Sequence, residues 1–185
     1  KAGAMNVIVH ARPGARTEGL PQIAALLRDA AATPPAGTHL SSFGTLNGGV
    51  LVAPDIAISA QCTRVPVIDG HVLCISAKLR KPASAEEVEA AFRKVENPLG
   101  AYDLPSSPAA WLHLHDAPDA PQPRKHADLG GGMTVSIGRV RPCSVLDVKF
   151  VALVHNTVRG AAGGAILNAE LLVRQGLLVP RSVEA

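Results

Sequence analysis

The chain has 185 residues, which fits one domain of ordinary size, and 47% of them are apolar while 18% are charged. This balance allows a sizeable core and excludes wholesale disorder. Aromatic residues make up only 3% of the chain, so we expect a core of Val, Leu, Ile and Ala. The formal net charge is +3, without a basic run interleaved with aromatic residues, so no nucleic-acid partner is expected.

The cysteine pattern and the hydropathy pattern indicate the cellular compartment in which the protein is expected. Cys62, Cys74 and Cys143 form no CxxC pair and leave an odd count, which favours a reduced, intracellular protein. The chain opens without a signal peptide, and no apolar run reaches the roughly 18 residues of a membrane span. We therefore expect a cytoplasmic protein without a membrane partner. Residues 1–4 resemble a cloning scar, with Met5 as the expected natural start.

In chain order, the first part of the sequence predicts a strand, a helix and a second strand. Residues 6–10 form the first strand. Pro21 opens a helix over residues 21–32, because a proline at the first helical position loses no hydrogen bond. Two prolines stop that helix. Residues 38–43 form the next strand, and a glycine turn follows at residues 47–49.

The rest of the chain alternates between β patterns and two helices. Ser84 and Glu87 form a capping box that starts a helix at residues 85–95, and a closing helix is predicted at residues 157–173. The proline-rich residues 98–124 are expected to be mostly loop. Strands are predicted at residues 50–53, 56–60, 72–79, 111–115, 134–140 and 145–154.

This order of elements predicts the fold class. It is an α+β fold with a single domain over residues 5–185, in which a mixed or largely antiparallel sheet has helices on one face.

Four stretches carry motifs that occur in a fixed order. They are SAQCTRVPVIDGH (residues 59–71), PDAPQPR (118–124), GMTVSIGRVR (132–141) and HNTVRGAAGGAILNAE (155–170). Together they resemble the aspartate-semialdehyde dehydrogenase family, and most closely its archaeal and fungal branch. The part that is resembled is the family's C-terminal catalytic and dimerisation domain. The resemblance therefore implies a homodimer, and the apolar strand at residues 145–154 agrees with a buried sheet contact.

The resemblance implies that Arg64 binds a substrate carboxylate and that His71 is the general acid/base. The side-chain chemistry agrees, because a planar guanidinium matches a carboxylate bidentately and an imidazole gives and takes protons near neutral pH. Without the resemblance, a surface arginine and a turn histidine are the simpler interpretation. Asn47 and Gly48, in a stretch similar to a substrate-binding strand end of the family, are further substrate-binding candidates.

The chain departs from the family pattern at the position of the nucleophilic cysteine and in the region that binds the coenzyme. The family's nucleophilic cysteine opens a helix, and the matching position here is Leu20. Gly44 replaces a substrate-binding glutamine, and Cys62 is expected to be packed within its strand. No glycine-rich phosphate loop follows an early strand. We therefore expect the coenzyme domain to be absent and predict no cofactor.

Three further features have alternative interpretations. The glycines of residues 160–164 suggest a phosphate loop, but a closely packed helix is the better interpretation. Asn156, whose family counterpart lies near the nicotinamide, is a cofactor contact only if a cofactor is held by other means. His113, His115 and His126 could form a metal cluster, but exposed histidines on an edge strand are favoured, so no metal is predicted.

Dehydrogenation needs a nucleophile and a bound hydride acceptor, and the sequence shows neither. The favoured hypothesis is therefore a repurposed enzyme that acts on a carboxylate-bearing metabolite by non-redox acid/base chemistry. One alternative is a truncated piece of an NADP-dependent aspartate-semialdehyde dehydrogenase. The other is a non-catalytic dimerising scaffold. The enzyme hypotheses predict that Arg64 and His71 converge on one pocket beside the turn at residues 47–49.

Overall fold

A computed structural model describes residues 5–13, 45–47, 50–52 and 56–178 of the chain. Within these ranges, six strands form one sheet and two short strands form a separate antiparallel pair. The strands are β1 (Met5–Pro13), β2 (Thr45–Asn47), β3 (Val50–Val52), β4 (Ile56–Arg64), β5 (His71–Ala77), β6 (Leu112–Leu114), β7 (Val135–Pro142) and β8 (Val148–Val154). The helices are α1 (Ala85–Arg93), α2 (Pro123–His126) and α3 (Gly163–Arg174), with a 3₁₀ turn at Gly100–Tyr102 and a π-helical turn at Val158–Ala162.

The main sheet is mixed and has the strand order β4-β1-β5-β8-β7-β6. β1 runs antiparallel to β4 and parallel to β5, and β6 runs parallel to β7. The central strand β8 is antiparallel to both of its neighbours. As a result, the start of β5, the end of β8 and the start of β7 all lie at one end of the sheet.

Helix α1 packs on one face of this sheet. Its first turn has the capping box that the sequence predicts: Ser84 Oγ accepts from Glu87 N at 3.2 Å, and the Glu87 carboxylate accepts from Ser84 N at 2.7 Å. The helix buries Val88 and Phe92, and the Phe92 ring meets Phe150 edge-on at a centroid distance of 5.2 Å. The sheet side of this core consists of Leu73, Ile75, Ala77, Leu114, Val135, Ile137, Val148, Phe150, Ala152 and Val154.

A second, smaller core joins α3 to the loop that precedes β6. It consists of Leu104, Met133 and Leu167, with Leu99, Trp111, Val158 and Leu171 packed against it. The Glu170 carboxylate on α3 accepts hydrogen bonds from Ser106 N at 3.0 Å and from Ser106 Oγ at 2.7 Å. Contacts with α3 therefore order the proline-rich segment, which has little regular secondary structure.

The α+β fold class with a mixed sheet is confirmed. The predicted elements that agree with the structure are the strands at residues 6–10, 50–53, 56–60, 72–79, 111–115 and 134–140 and the helices at residues 85–95 and 157–173. Residues 1–4, the helix predicted at residues 21–32 and the strand predicted at residues 38–43 lie outside the described residues. None of the helices in the described part of the chain is long and apolar enough to cross a membrane.

The strand predicted at residues 145–154 is shorter, because β8 begins at Val148. Cys143 N donates to Asp147 O at 3.1 Å and closes a turn before it. The Asp147 carboxylate in turn accepts from Leu79 N at 2.7 Å and from Lys78 Nζ at 2.6 Å. These bonds tie the turn to the residues that follow β5, and Val145 within the turn is 82% exposed.

The apolar side chains of β8 are also less available for a partner than the sequence suggests. Phe150 and Val154 are buried on the face that packs against α1, while Val151 and Leu153 are buried on the opposite face. Both faces of the strand are thus covered within one protomer, so the apolar content of β8 is not by itself a reason to expect a homodimer.

Candidate functional site

His71 lies at the end of the sheet where β5 begins and β8 ends. It is the first residue of β5 and is opposite Val154, the last residue of β8. Because side chains alternate along a strand, His71 lies on the same face as Leu73 and Ile75, which belong to the core beneath α1. The residue is only 5% exposed. Such burial restricts the orientation of the imidazole.

Arg64, the last residue of β4, lies at the same end of the sheet. The strand register pairs Arg64 with Met5 and pairs Asn6, the next residue of β1, with Val72. One residue back along this register, Met5 is level with His71. Arg64 and His71 therefore share a face with only β1 between them, and two strand spacings separate their backbones by roughly 10 Å. Arg64 is exposed, whereas His71 is buried.

The loop from Arg64 to His71 ends in a turn at Asp69 and Gly70. Gly70 has a φ of +103°, and a Cβ at this position would lie 2.9 Å from Leu153 Cδ1 and 3.1 Å from Pro123 Cβ. The backbone conformation favours glycine, and a Cβ here would have to displace Leu153 and Pro123. The glycine of the motif thus permits the chain to enter β5 directly against Leu153 and Pro123.

Two residues that follow β8 contact this turn. Asn156 Oδ1 accepts a hydrogen bond from Gly70 N at 2.8 Å. The Thr157 hydroxyl lies 3.4 Å from Asp69 Oδ1, a longer and weaker contact. The sequence offers Asn156 only as a conditional cofactor contact, whereas the structure gives its side-chain oxygen a partner within the chain.

His155, beside Asn156, is a residue that the sequence analysis missed. It is 6% exposed, and its Nδ1 lies 3.3 Å from Val158 N, which donates to it, and 3.2 Å from Thr157 Oγ1. Its Nε2 lies 3.4 Å from the carboxylate of Asp128. Because Nδ1 accepts from a backbone amide, this bonding pattern assigns the proton of the neutral ring to Nε2, facing Asp128. The adjacency of His155 and Asn156 in the fourth motif is the signal that could have found it.

Arg159 is a second residue that the sequence analysis missed. Only 8% of it is exposed; its Nη1 donates to Met133 O at 2.7 Å, and its guanidinium lies 3.8 Å from the centroid of the Trp111 ring. This cation–π contact and hydrogen bond compensate for burial of the charge. A Cβ at Gly163 would lie 2.7 Å from Met133 Sδ, and one at Gly164 would lie 2.5 Å from Arg159 O. The two glycines thus permit close packing, as the helix interpretation of the glycine run predicts.

The structure corrects one expectation and leaves others outside its range. Cys62 was expected to be packed in its strand, and this is wrong: Cys62 is exposed on β4, the outermost of the strands that the structure describes in this sheet. Asn47 ends β2, where it pairs with Val50. Gly48 lies outside the described residues, as does most of the turn that was expected to border the pocket.

Comparison with known proteins identifies the family. The family model for the semialdehyde dehydrogenase dimerisation domain matches residues 45–159, a range that includes Arg64, His71 and Asn156. The chain belongs to the semialdehyde dehydrogenase family.

Two aspartate-semialdehyde dehydrogenases, one fungal and one archaeal, illustrate the relationship. The enzyme of Cryptococcus neoformans is 50% identical over 125 residues, which cover 66% of this chain and 34% of the relative. The enzyme of Archaeoglobus fulgidus is 43% identical over 139 residues, which cover 75% of this chain and 39% of the relative. These matches confirm the archaeal and fungal resemblance. The chain spans little more than a third of the length of these relatives.

A solved structure agrees with this assignment. The crystal structure of aspartate-semialdehyde dehydrogenase with NADP from Candida albicans matches with a TM-score of 0.65 at 30% identity. The match covers 96% of this chain and 53% of that chain. The described residues therefore have the semialdehyde dehydrogenase fold.

This semialdehyde dehydrogenase domain also has three histidines packed together on β6, α2 and the loop between them. The ring of His115 lies between His113 and His126, with centroid distances of 4.4 Å and 4.3 Å. His113 is exposed on the edge strand, as expected, but His115 is half-buried and its Nε2 has no hydrogen-bond partner. No group of three or more His, Cys, Asp or Glu residues in the described ranges is arranged to hold a metal ion.

The histidine cluster makes protonation of His115 unfavourable. Burial and, to a smaller extent, the neighbouring His113 and His126 lower the pKa of His115 to about 4, against an opposing effect of Asp116. The unfolded chain has an ordinary histidine pKa of about 6.5, so between these pH values the unfolded state binds more protons. The contribution of His115 to stability is therefore present above pH 6.5 and is lost as the pH falls towards 4.

We predict that His115→Gln makes the free energy of unfolding less dependent on pH below neutrality. The free energy of unfolding, measured by urea denaturation between pH 7 and pH 4.5, should fall less with acidification in this variant than in the original protein. His113→Gln, which removes only a neighbouring charge, is the control and should have a smaller effect. Equal acid slopes for His115→Gln and the original protein would contradict the prediction.

Proposed function

We propose that Arg64 and His71 form the carboxylate-binding and proton-transferring part of a small-molecule site. The observation that supports this proposal is the sheet register, which sets both residues on one face and at one end, with a single strand between them. A long guanidinium side chain and a short imidazole at this spacing can approach a small metabolite from two sides. Membership of the semialdehyde dehydrogenase family supports the same assignment.

The two residues have different tasks in this site. Arg64 is exposed, and its planar guanidinium binds the substrate carboxylate through two parallel charge-assisted hydrogen bonds. His71 is buried, and its imidazole gives or takes a proton at a neighbouring atom of the substrate. Acting alone, this pair performs a non-redox step on a carboxylate-bearing metabolite, such as an isomerisation, a cyclisation or an elimination.

We predict that substitutions at the two positions separate binding from turnover. Arg64→Ala removes two charge-assisted hydrogen bonds worth about 2–4 kcal/mol together, so substrate affinity should fall by tens- to hundreds-fold. His71→Ala should abolish turnover and largely spare binding. Calorimetry with a panel of small carboxylates, including aspartate semialdehyde, followed by turnover assays, measures both effects.

The matched control for Arg64 is Arg141→Ala. Arg141 is an exposed arginine on β7 that pairs with Lys149, so it lies towards the opposite end of the sheet. It should leave binding unchanged. If Arg64→Ala and Arg141→Ala have the same effect, the site proposal fails and a non-catalytic dimerising scaffold is the better interpretation.

The fraction of the relatives' length that this chain covers supports a second candidate function. The chain spans 34% of the Cryptococcus relative and 39% of the Archaeoglobus relative. In this alternative, Arg64 and His71 act within an NADP-dependent aspartate-semialdehyde dehydrogenase whose thiol nucleophile and coenzyme site come from additional polypeptide. Dehydrogenation through an acyl-thioester requires both of these groups.

We predict that the 185-residue chain alone neither reduces NADP with aspartate semialdehyde and phosphate nor binds NADP saturably. Absorbance of NADPH and calorimetry measure the two properties, and the Candida albicans dehydrogenase serves as the positive control. Turnover at an ordinary enzymatic rate of about 1 s⁻¹ or more would show that the chain itself supplies the nucleophile.

We propose further that the protein is a homodimer. The family model that matches is that of a dimerisation domain. A candidate contact surface is the face of β5 opposite the α1 core, where Cys74 is exposed between the half-buried Val72 and Ser76. Cys74 is exposed although it lies in the middle of a central strand, and a second protomer would bury it.

Light scattering at micromolar concentration should therefore give about twice the chain mass of 19.1 kDa. Cys74→Arg should shift the mass to that of a monomer, because it would bury an unpaired charge in the contact. Ser144→Arg, in an exposed turn, is the control and should leave the dimer intact. A monomeric mass for the original protein would contradict the proposal.

A further inference from the structure

The turn that leads into His71 depends on contacts from another part of the chain. Gly70 immediately precedes His71. Because glycine has no Cβ, its backbone can adopt more conformations than that of any other residue. Its φ of +103° lies in a region that other residues rarely adopt. Its amide donates a hydrogen bond to Asn156 Oδ1, which lies outside the loop, at 2.8 Å. The direction in which the chain enters β5 thus depends on a residue 86 positions away in sequence.

We propose that Asn156 is a positioning residue that orients the His71 imidazole through the Gly70 amide. The inference rests on the proposed acid/base role of His71. Pairing with Val154 holds the far side of His71 in the sheet, while Asn156 holds the peptide before it. Together these two contacts limit rotation about the Gly70 backbone, and hence the direction of the His71 Cα–Cβ bond.

Asn156 is itself well anchored. The preceding His155 is buried, with Val158 N donating to its Nδ1 at 3.3 Å and Asp128 lying 3.4 Å from its Nε2. The following Thr157 adds the contact to Asp69 at 3.4 Å. Residues 155–157 therefore fix the turn at residues 69–70. His155 is held in place by Val158 and Asp128, and Asn156 makes the principal contact with the turn.

The alternative roles for Asn156 make different predictions. A residue that only stabilises the fold would change the unfolding temperature without changing the His71 ring. A cofactor contact would have an effect only in the presence of NADP. A positioning residue changes the environment of the His71 ring in the protein without any ligand, and it changes turnover more than substrate binding because Arg64 is untouched.

The experiment is NMR of histidine-labelled protein, with ring signals assigned by His71→Gln. Asn156→Ala removes the acceptor and should move the His71 ring signal, while the signals of His113 and His126 stay in place. Gly70 amide exchange should accelerate by roughly twofold to tenfold, the range expected for one neutral hydrogen bond. Asn156→Asp keeps an acceptor oxygen and should restore the slow exchange of Gly70. Asn168→Ala, at an exposed asparagine of α3, is the control that should change neither property.

With a substrate identified, Asn156→Ala should lower kcat by roughly 10- to 100-fold, as small misplacements of catalytic groups do, with little change in KM. Asn156→Ser, whose hydroxyl is too short to reach the amide, answers the same question if the alanine variant does not fold. An unmoved His71 signal in the alanine or serine variant overturns the inference, as does a response that requires NADP. The NMR result is independent of the proposed function, which fails instead if His71→Ala retains turnover.

Discussion

The pairing of β5 with β8 is the constraint on which the candidate site depends. The two strands pair from His71 and Val154 at one end to Ala77 and Val148 at the other. A slip by one residue would turn Leu73 and the other core residues of β5 away from α1. Burial of that apolar face therefore specifies the register. The register in turn places His71 beside the residues that follow β8, among them Asn156.

Glycines permit the close approaches around this end of the sheet. Gly70 lets the chain enter β5 against Leu153 and Pro123, and Gly132 leaves room for the ring of His155, whose Cδ2 lies 3.0 Å from where a Cβ would be. Each glycine has a positive φ, so the need for space and the need for an unusual backbone conformation coincide. The glycines of the family motifs thus have a physical reason in this structure that is separate from any ligand.

The two residues of the proposed site differ in how the fold holds them. His71 is buried at the start of a central strand, whereas Arg64 is exposed at the end of β4, which is outermost among the described strands. A proton donor or acceptor benefits from a restricted ring, because reaction geometry tolerates little displacement. A carboxylate-binding arginine presents its guanidinium on a long side chain, so it can adjust to ligands of different length. In the proposed site, the buried His71 thus transfers the proton and the exposed Arg64 recognises the charge of the substrate.

Local patterns in the sequence determined much of the fold and part of the site. Alternation predicted β5 and β7, and the Ser84–Glu87 capping box predicted the start of α1, because these signals act within a few residues. The family motifs selected Arg64 and His71. Tertiary structure alone decided that β1 lies between them, that Asn156 binds the turn before His71, and that Asp147 and Lys78 hold the turn before β8. It also decided the exposure of Cys62 and the packing of the Arg159 guanidinium on Trp111. These features join residues far apart in sequence, and the strand order that brings them together leaves no local pattern.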